Sequence, residues 1–339
     1  MSEFQGIWIV AERTADGHWD EGVEELFTPA RELAGHFNEP ITAVLLGDDD
    51  AAALKAARLG HLGADRVLFI KEARLASYQL EIVLGALAPV IQNGKPRLCL
   101  FSASTTSADL APRLAIRVGA ALITQAMGLE LNDAGKIVAT RSCYAESMLS
   151  AVTCVADTSQ IITIKKKAFA KAVLDESRTA PVEMIAPDLS GLSPHLALVK
   201  VHASESKGAQ KLEEADIVVS GGRGLKEPAN FKLVEELAAA LGAAVGASRA
   251  VVDAGWRPHS EQVGQTGKTV SPKLYFALGI SGALQHQVGM NASQIIIAIN
   301  RDEHAPIFKL ADFGIVGDVT AIAPELTRTI QERHLVFHT

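Results

Sequence analysis

Aromatic residues are scarce in this sequence, at 5 % of 339 positions. Its core must therefore come from Ala, Val, Ile and Leu, as in a parallel sheet under Ala-rich helices. Cysteines are few: Cys99, Cys143 and Cys154 form no CxxC pair. No disulfide framework or thiolate metal site is expected, and a reducing cytoplasm fits. No His/Cys/carboxylate group has metal-ligand spacing. No stretch reaches about 18 consecutive apolar residues, so an integral membrane protein is not expected. Met1-Ser2-Glu3-Phe4 lacks the basic and apolar regions of a signal peptide. Basic residues are outnumbered, 32 against 39 acidic, for a net charge of −7. That balance argues against nucleic acid as a partner. The one dense basic run, Lys165-Lys166-Lys167, reads as a solvated strand end.

What is present is alternation. Short apolar runs at Gly6–Ala11, Ile41–Leu46, Arg66–Ile70 and Arg97–Phe101 read as strands. Helical spacing lies between them at Glu21–Phe37, Ala51–Leu62 and Tyr78–Asn93, with Asp48-Asp49-Asp50 placed to cap the second. Ser104–Ser107 opens a further helix, to Val118. The βαβα order predicts an α/β protein whose sheets are mostly parallel and flanked by helices. Leu129–Ile164 is β-rich and predicts an antiparallel extension, and Pro181–His202 ends extended in ALVKVH. Ser204–Gln210 is small and polar, which sets a domain boundary near 205 and gives domains 1–204 and 205–339. The alternation then restarts: strands at Ile217–Ser220, Ala243–Ala247, Leu274–Ile280, Ile295–Asn300 and Phe313–Val316, helices at Asn230–Leu241 and Pro324–Arg333.

Motifs crowd the second half. Gly221-Gly222-Arg223-Gly224 joins a strand to a helix, where phosphate can approach the backbone; a plain tight turn explains it equally well. Ser248 and Arg249 end another strand, with a guanidinium able to lie over a planar ring, or simply to face water. Gln262 to Thr269 ends in GKT, but Gln262 and Val263 stand where a P-loop would carry its first glycine, which rejects ATP hydrolysis. Gly279 to His286 is a turn of small residues ending in His286, and a lone histidine is more often structural than catalytic; no GxSxG elbow surrounds Ser281. Asn300, Asp302, Asp312 and Asp318 sit at strand ends, where they bond ribose or adenine atoms or serve as ordinary turn residues.

Together, GGRG at 221–224 and the stretch GASRAVVDAGWRPHSEQVGQTGKTVSPKLYFALGISGALQHQVGMNASQIIIAINRDEHAPIFKLADFGIVGD, Gly246 to Asp318, closely resemble the electron transfer flavoprotein alpha subunit. The resemblance covers most of the second domain; the first matches in pattern with weaker motifs. It implies an N-terminal nucleotide-hydrolase-like α/β domain that pairs with a beta subunit, and a C-terminal Rossmann-like domain that holds one FAD. By resemblance, Arg223 and Ser248 contact the diphosphate or adenosine end, and Arg249 lies against the isoalloxazine. Val263, Gly264, Gln265 and Thr266 line the ring, with Thr266 at N5. Ser281, Gly282, Ala283, Leu284, Gln285 and His286 form the flavin turn, with His286 near O2. Asn300, Asp318 and Val319 grip the adenine-nucleotide portion. Arg249, or a protonated His286, would stabilise negative charge on a reduced ring. Val288 departs from the small residue usual there.

The resemblance also implies partners, in two versions. A simple carrier takes electrons from an acyl-CoA dehydrogenase to a membrane quinone oxidoreductase, with AMP in the beta subunit. A bifurcating type has a second FAD in the beta subunit, oxidises NADH, and divides electrons between ferredoxin or flavodoxin and an acyl-CoA dehydrogenase. GIWIVAER, AGW and QVGQTGKTVSPKLY resemble the bifurcating forms. From another class, an NAD- or nucleotide-binding regulatory protein shares the second domain's pattern.

Overall fold

The computed structural model describes residues 3–12, 20, 22–48, 51–144, 148–196, 198–200, 212–213 and 215–333, the side chains of 51–55 and 57 excepted. The chain divides into two compact units, Met1–Val201 and His202–Thr339. The expected boundary near residue 205 lies outside the described residues, as do Asp49 and Asp50 of the expected cap.

In the first unit, chain order runs β1 (Ile7–Ala11), α1 (Gly22–Phe37), β2 (Ile41–Gly47), α2 (Ala51–Leu62), β3 (Arg66–Lys71), α3 (Leu80–Gly94), β4 (Leu98–Ser102) and α4 (Thr105–Val118). It continues β5 (Ala121–Leu131), β6 (Ile137–Cys143), β7 (Met148–Thr153), β8 (Gln160–Ile164) and β9 (Val182–Ile185). Among the described residues these strands form one sheet, ordered β7-β6-β5-β8-β4-β1-β2-β3-β9. The central strands are apolar on both faces because both faces are covered. Ile7, Ile9, Leu98 and Leu100 pack under α1 and α2; Trp8, Val10, Cys99 and Phe101 pack under α3 and α4.

Three details differ from the sequence pattern. The β5-β6-β7 meander is antiparallel, but β8 threads back between β4 and β5, parallel to both. The apolar QIITI run, buried from its second residue, suits that interior place and not an edge. Strand pairing beyond Pro181 falls on Val182–Ile185, against β3. The described part of ALVKVH, residues 198–200, forms no strand.

The second unit runs β10 (Ile217–Gly221), α5 (Lys232–Leu241), β11 (Ala244–Ser248), α6 (Arg249–Asp253), β12 (Gln262–Val263), β13 (Leu274–Leu278), α7 (Leu284–Gln287), β14 (Ile295–Asn300), β15 (Phe313–Val316) and α8 (Val319–Glu332). Its sheet is ordered β12-β11-β10-β13-β14-β15, every pairing parallel. Counted within the unit this is 3-2-1-4-5-6, the order of dinucleotide-binding sheets, with its topological switch point between the first and fourth strands, here β10 and β13. One face packs under α5 and α8 through Val219, Phe276, Leu237 and Ala323. The other, carrying Val218, Tyr275, Ala277 and Ala298, packs against Val270, Met290 and Ile307 from the connections.

The last helix begins at Val319, five residues before the expected start at Pro324. Asp318 caps it by accepting from the Thr320 amide at 3.0 Å, and Pro324 falls inside the helix. A cap carboxylate on the first free amides decides a helix start more strongly than a proline one turn later.

Candidate functional site

A cleft of about 590 Å³ opens at the carboxyl ends of β10, β11, β12, β13 and β14. Its floor exists because glycines let two turns touch. A Cβ on Gly222 would stand 2.3 Å from the Gly279 carbonyl oxygen, and one on Gly224 2.6 Å from Gly279 Cα. The Gly222 amide donates to Leu278 and the Gly224 amide to Gly279, at 2.8 and 2.9 Å, which ties the ends of β10 and β13 together.

From β10 comes Arg223, its guanidinium 5.3 Å above the Trp256 ring. The end of β11 supplies Ser248, whose side chain does not turn back to cap α6, and Arg249, exposed and paired with Asp253 at 3.3 Å. β12 leads into the turn Val263 to Thr266. Gly264 there has φ +141°, and a Cβ would meet the Gln285 carbonyl at 2.8 Å, so the position needs glycine. Gln265 donates its amide to Gln285 at 2.7 Å, joining this turn to α7. Thr266 Oγ1 accepts from Gln262 Nε2 at 3.0 Å, which leaves the hydroxyl proton for the cleft.

Ser281, Ala283, Gln285 and His286 continue the wall. His286 is buried, its Nε2 2.9 Å from the Tyr275 hydroxyl. Nδ1 makes no well-formed hydrogen bond among the described residues. Such an orphan costs about 1–3 kcal/mol unless a ligand satisfies it. Burial pushes the imidazole down to about 4, outweighing an upward pull from the Val263 backbone. With the cleft empty the ring is therefore neutral near pH 7, because desolvation disfavours the charge; the protonated form expected beside a reduced ring needs that ring's negative charge next to it.

Asn300 also lines the cleft. Its Nδ2 donates to Ile280 at 2.9 Å and its Oδ1 accepts from the Asp302 amide at 3.1 Å. Four expected residues are not on this wall. Gly282 packs against Ile307, Leu284 is exposed, and Val319 is buried among the residues under α8. Asp318 caps α8 and pairs with Lys226 at 2.5 Å, which holds its carboxyl below the ordinary range. The wall adds Ala250, Asp253, Arg301 and Ala305, which the motifs did not single out. Arg301 follows Asn300 at a strand end, and Asp253 follows Arg249 at i+4 spacing; those were the available signals. Arg223, Arg249 and Arg301 face Asp253 and Asp302, so the rim is net cationic. Cations and open backbone turns suit a phosphorylated ligand, and the buried hydrogen-bonding groups suit a flat polar ring.

Among the described residues no group of three His, Cys, Asp or Glu is placed to hold a metal, and no helix is long and apolar enough to cross a membrane.

Two family models match. Residues 7–190 match an electron transfer flavoprotein domain, and residues 211–291 match an electron transfer flavoprotein FAD-binding domain. Among curated relatives, the electron transfer flavoprotein subunit alpha of Thermoanaerobacterium thermosaccharolyticum is 38 % identical over 98 % of this chain and 99 % of its own. A protein named FixB of Clostridium saccharobutylicum is 35 % identical over 98 % of each. The electron transfer flavoprotein subunit alpha of Megasphaera elsdenii is 37 % identical, again over 98 % of each.

Proposed function

The chain belongs to the electron transfer flavoprotein alpha-subunit family, and on that premise we propose that its second unit holds one FAD in the cleft above β10 to β14 while residues 1–204 pair with a beta subunit. The observation that carries the reading is the convergence of Arg223, Ser248, Arg249, Thr266 and His286, from separate strand ends, on one cleft at the switch point. The residues fit the cofactor: the orphaned Nδ1 of His286 and the spare Thr266 proton await acceptors, and the arginines face a diphosphate's charge. FAD, when bound, supplies one- and two-electron redox chemistry.

This chain's residues then bind and tune. Arg223 and Ser248 hold the diphosphate. Arg249, exposed on the cleft wall, would lie against the ring and favour negative charge there, with an effect that water weakens. Thr266 and His286 donate hydrogen bonds, and Asn300 orients the nucleotide end. No residue needs to transfer a proton. Removing the guanidinium in Arg249→Ala lowers the flavin potential; an unchanged potential would refute that role.

The protein serves a cytoplasmic acyl-CoA dehydrogenase as electron partner. We carry the bifurcating version forward on GIWIVAER and QVGQTGKTVSPKLY. Two FAD per heterodimer, with NADH-dependent reduction of ferredoxin or flavodoxin, supports it. One FAD with AMP would give the simple carrier to a quinone oxidoreductase.

A further inference from the structure

We propose that Tyr275 is a positioning residue for the cleft: its hydroxyl donates to Nε2 of His286, which fixes the imidazole proton on Nδ1 as a donor for an acceptor atom of the bound ring. The inference rests on the FAD reading above. It concerns a side chain outside the cleft wall, on β13, eleven residues before the histidine it serves.

Tyr275 is fully buried, and its oxygen lies 2.9 Å from Nε2. The rings meet at 59° with centroids 6.2 Å apart, so the contact runs through the hydroxyl and not through stacking. Burial drives the phenol's pKa up and the imidazole's down, so both partners are neutral. Between a neutral phenol and a neutral imidazole, the phenol is the stronger acid and the ring nitrogen the stronger base. The proton therefore lies on oxygen and points at Nε2. Neutral imidazole carries one N–H, which places the other proton on Nδ1. The Val263 backbone acts in the same sense, favouring a proton on the ring as an acceptor does.

Ser220 Oγ is buried without a well-formed partner among the described residues, and a hydrogen bond from it to the phenol oxygen would draw the phenol's pKa back down against burial. The charged groups on the shared cleft wall are Arg223, Arg249, Arg301, Asp253 and Asp302. Tyr275 is the ionisable group that bonds the imidazole directly. Without the hydroxyl, the tautomer loses the bond at Nε2 that selects it and keeps only the weaker bias from the Val263 backbone.

The test uses the full chain co-purified with its beta subunit, ¹⁵N-labelled at histidine. In flavin-free protein, two-bond ¹H–¹⁵N spectra read the His286 tautomer: Nδ1–H in the unaltered chain, a mixture in Tyr275→Phe. In FAD-loaded protein, Tyr275→Phe weakens FAD binding by about 3- to 10-fold, the worth of one hydrogen bond, and moves the flavin potential. Both effects vanish when Tyr275→Phe is made in a His286→Asn background. An Nε2–H tautomer in the unaltered chain would overturn the proposal, as would an effect of Tyr275→Phe that is equal in both backgrounds. If the unaltered chain takes up no flavin, the reading of the cleft fails, and the tautomer spectra still decide the role of Tyr275.

Discussion

The two units solve one topological problem differently. Each has a sheet with a parallel centre whose strand order reverses between neighbouring central strands, β1 and β4 in the first, β10 and β13 in the second. A sheet of this kind leaves a crevice at the reversal. The first unit lines the described part of that place with its own polar groups. Asp20 accepts from Ser102, Lys166 and the Gly22 amide at 2.8 to 3.0 Å, and Glu12 accepts from Ser104 at 2.7 Å. The second unit puts glycines, arginines and an orphaned imidazole there and leaves a cleft. The same scaffold thus yields in one case a cluster of acids bonded mostly to the unit's own groups, with Glu12 Oε1 left without a well-formed partner among the described residues, and in the other an open cleft lined by arginines, and the difference lies in a handful of strand-end residues.

The comparison can be broken at four points. The largest effect is expected from Gly224→Val: its Cβ collides with the Gly279 backbone, which destabilises the second unit by about 3 kcal/mol. Hydrogen exchange read by mass spectrometry should show the loss in residues 215–333 and not in the first unit. Next is Asp20→Ala, which removes the buried carboxylate that pairs with Lys166 and accepts from the Ser102 hydroxyl. About 2–3 kcal/mol should be lost, in the first unit alone, by denaturant titration.

The third is pH. In the first unit, burial raises Glu12 to about 8 and Glu25 to about 7 from an ordinary 4.5. The folded state then holds protons that the unfolded state has released, so this stabilisation is complete below pH 4.5 and is lost as pH rises through 7 and 8. In the second unit His286 is lowered to about 4 from 6.5. The unfolded state there binds the extra proton, so stability falls as pH drops from 6.5 towards 4. Glu12→Gln should flatten the alkaline loss and His286→Asn the acid loss, each in its own unit. A shared response would contradict the contrast. The smallest effect is that of Arg249→Ala on stability. Its pair with Asp253 is exposed on both sides, so a melt should move by no more than about 0.5 kcal/mol, while the flavin potential falls.

Much of this was legible in the sequence. Apolar runs with Gly-rich ends marked the strands, because a strand buried on both faces must be apolar throughout and its loop must turn sharply at the ligand side. The motif residues Arg223, Ser248, Thr266 and His286 were readable because strand ends converge in any such sheet. The insertion of β8 between β4 and β5 was not readable, since pairing partners are set by tertiary packing and not by local period. Tyr275 read only as one more apolar residue of LYFAL; its bond to His286 needs the strand, the turn and α7 in place together. Asp318 read as a ligand contact, and its bond to the Thr320 amide shows a cap that only the true helix start reveals.

The central claim is that the open switch point of the second unit holds flavin, and counting tests it most directly. Ala283 is exposed on the cleft wall, so Ala283→Trp fills the cleft without touching the sheet. Flavin per heterodimer, measured by absorbance and chromatography, should fall by one FAD between the unaltered protein and this variant, with the fold intact by circular dichroism. An unchanged count, or a folded unaltered protein with no flavin in this chain, would contradict the account.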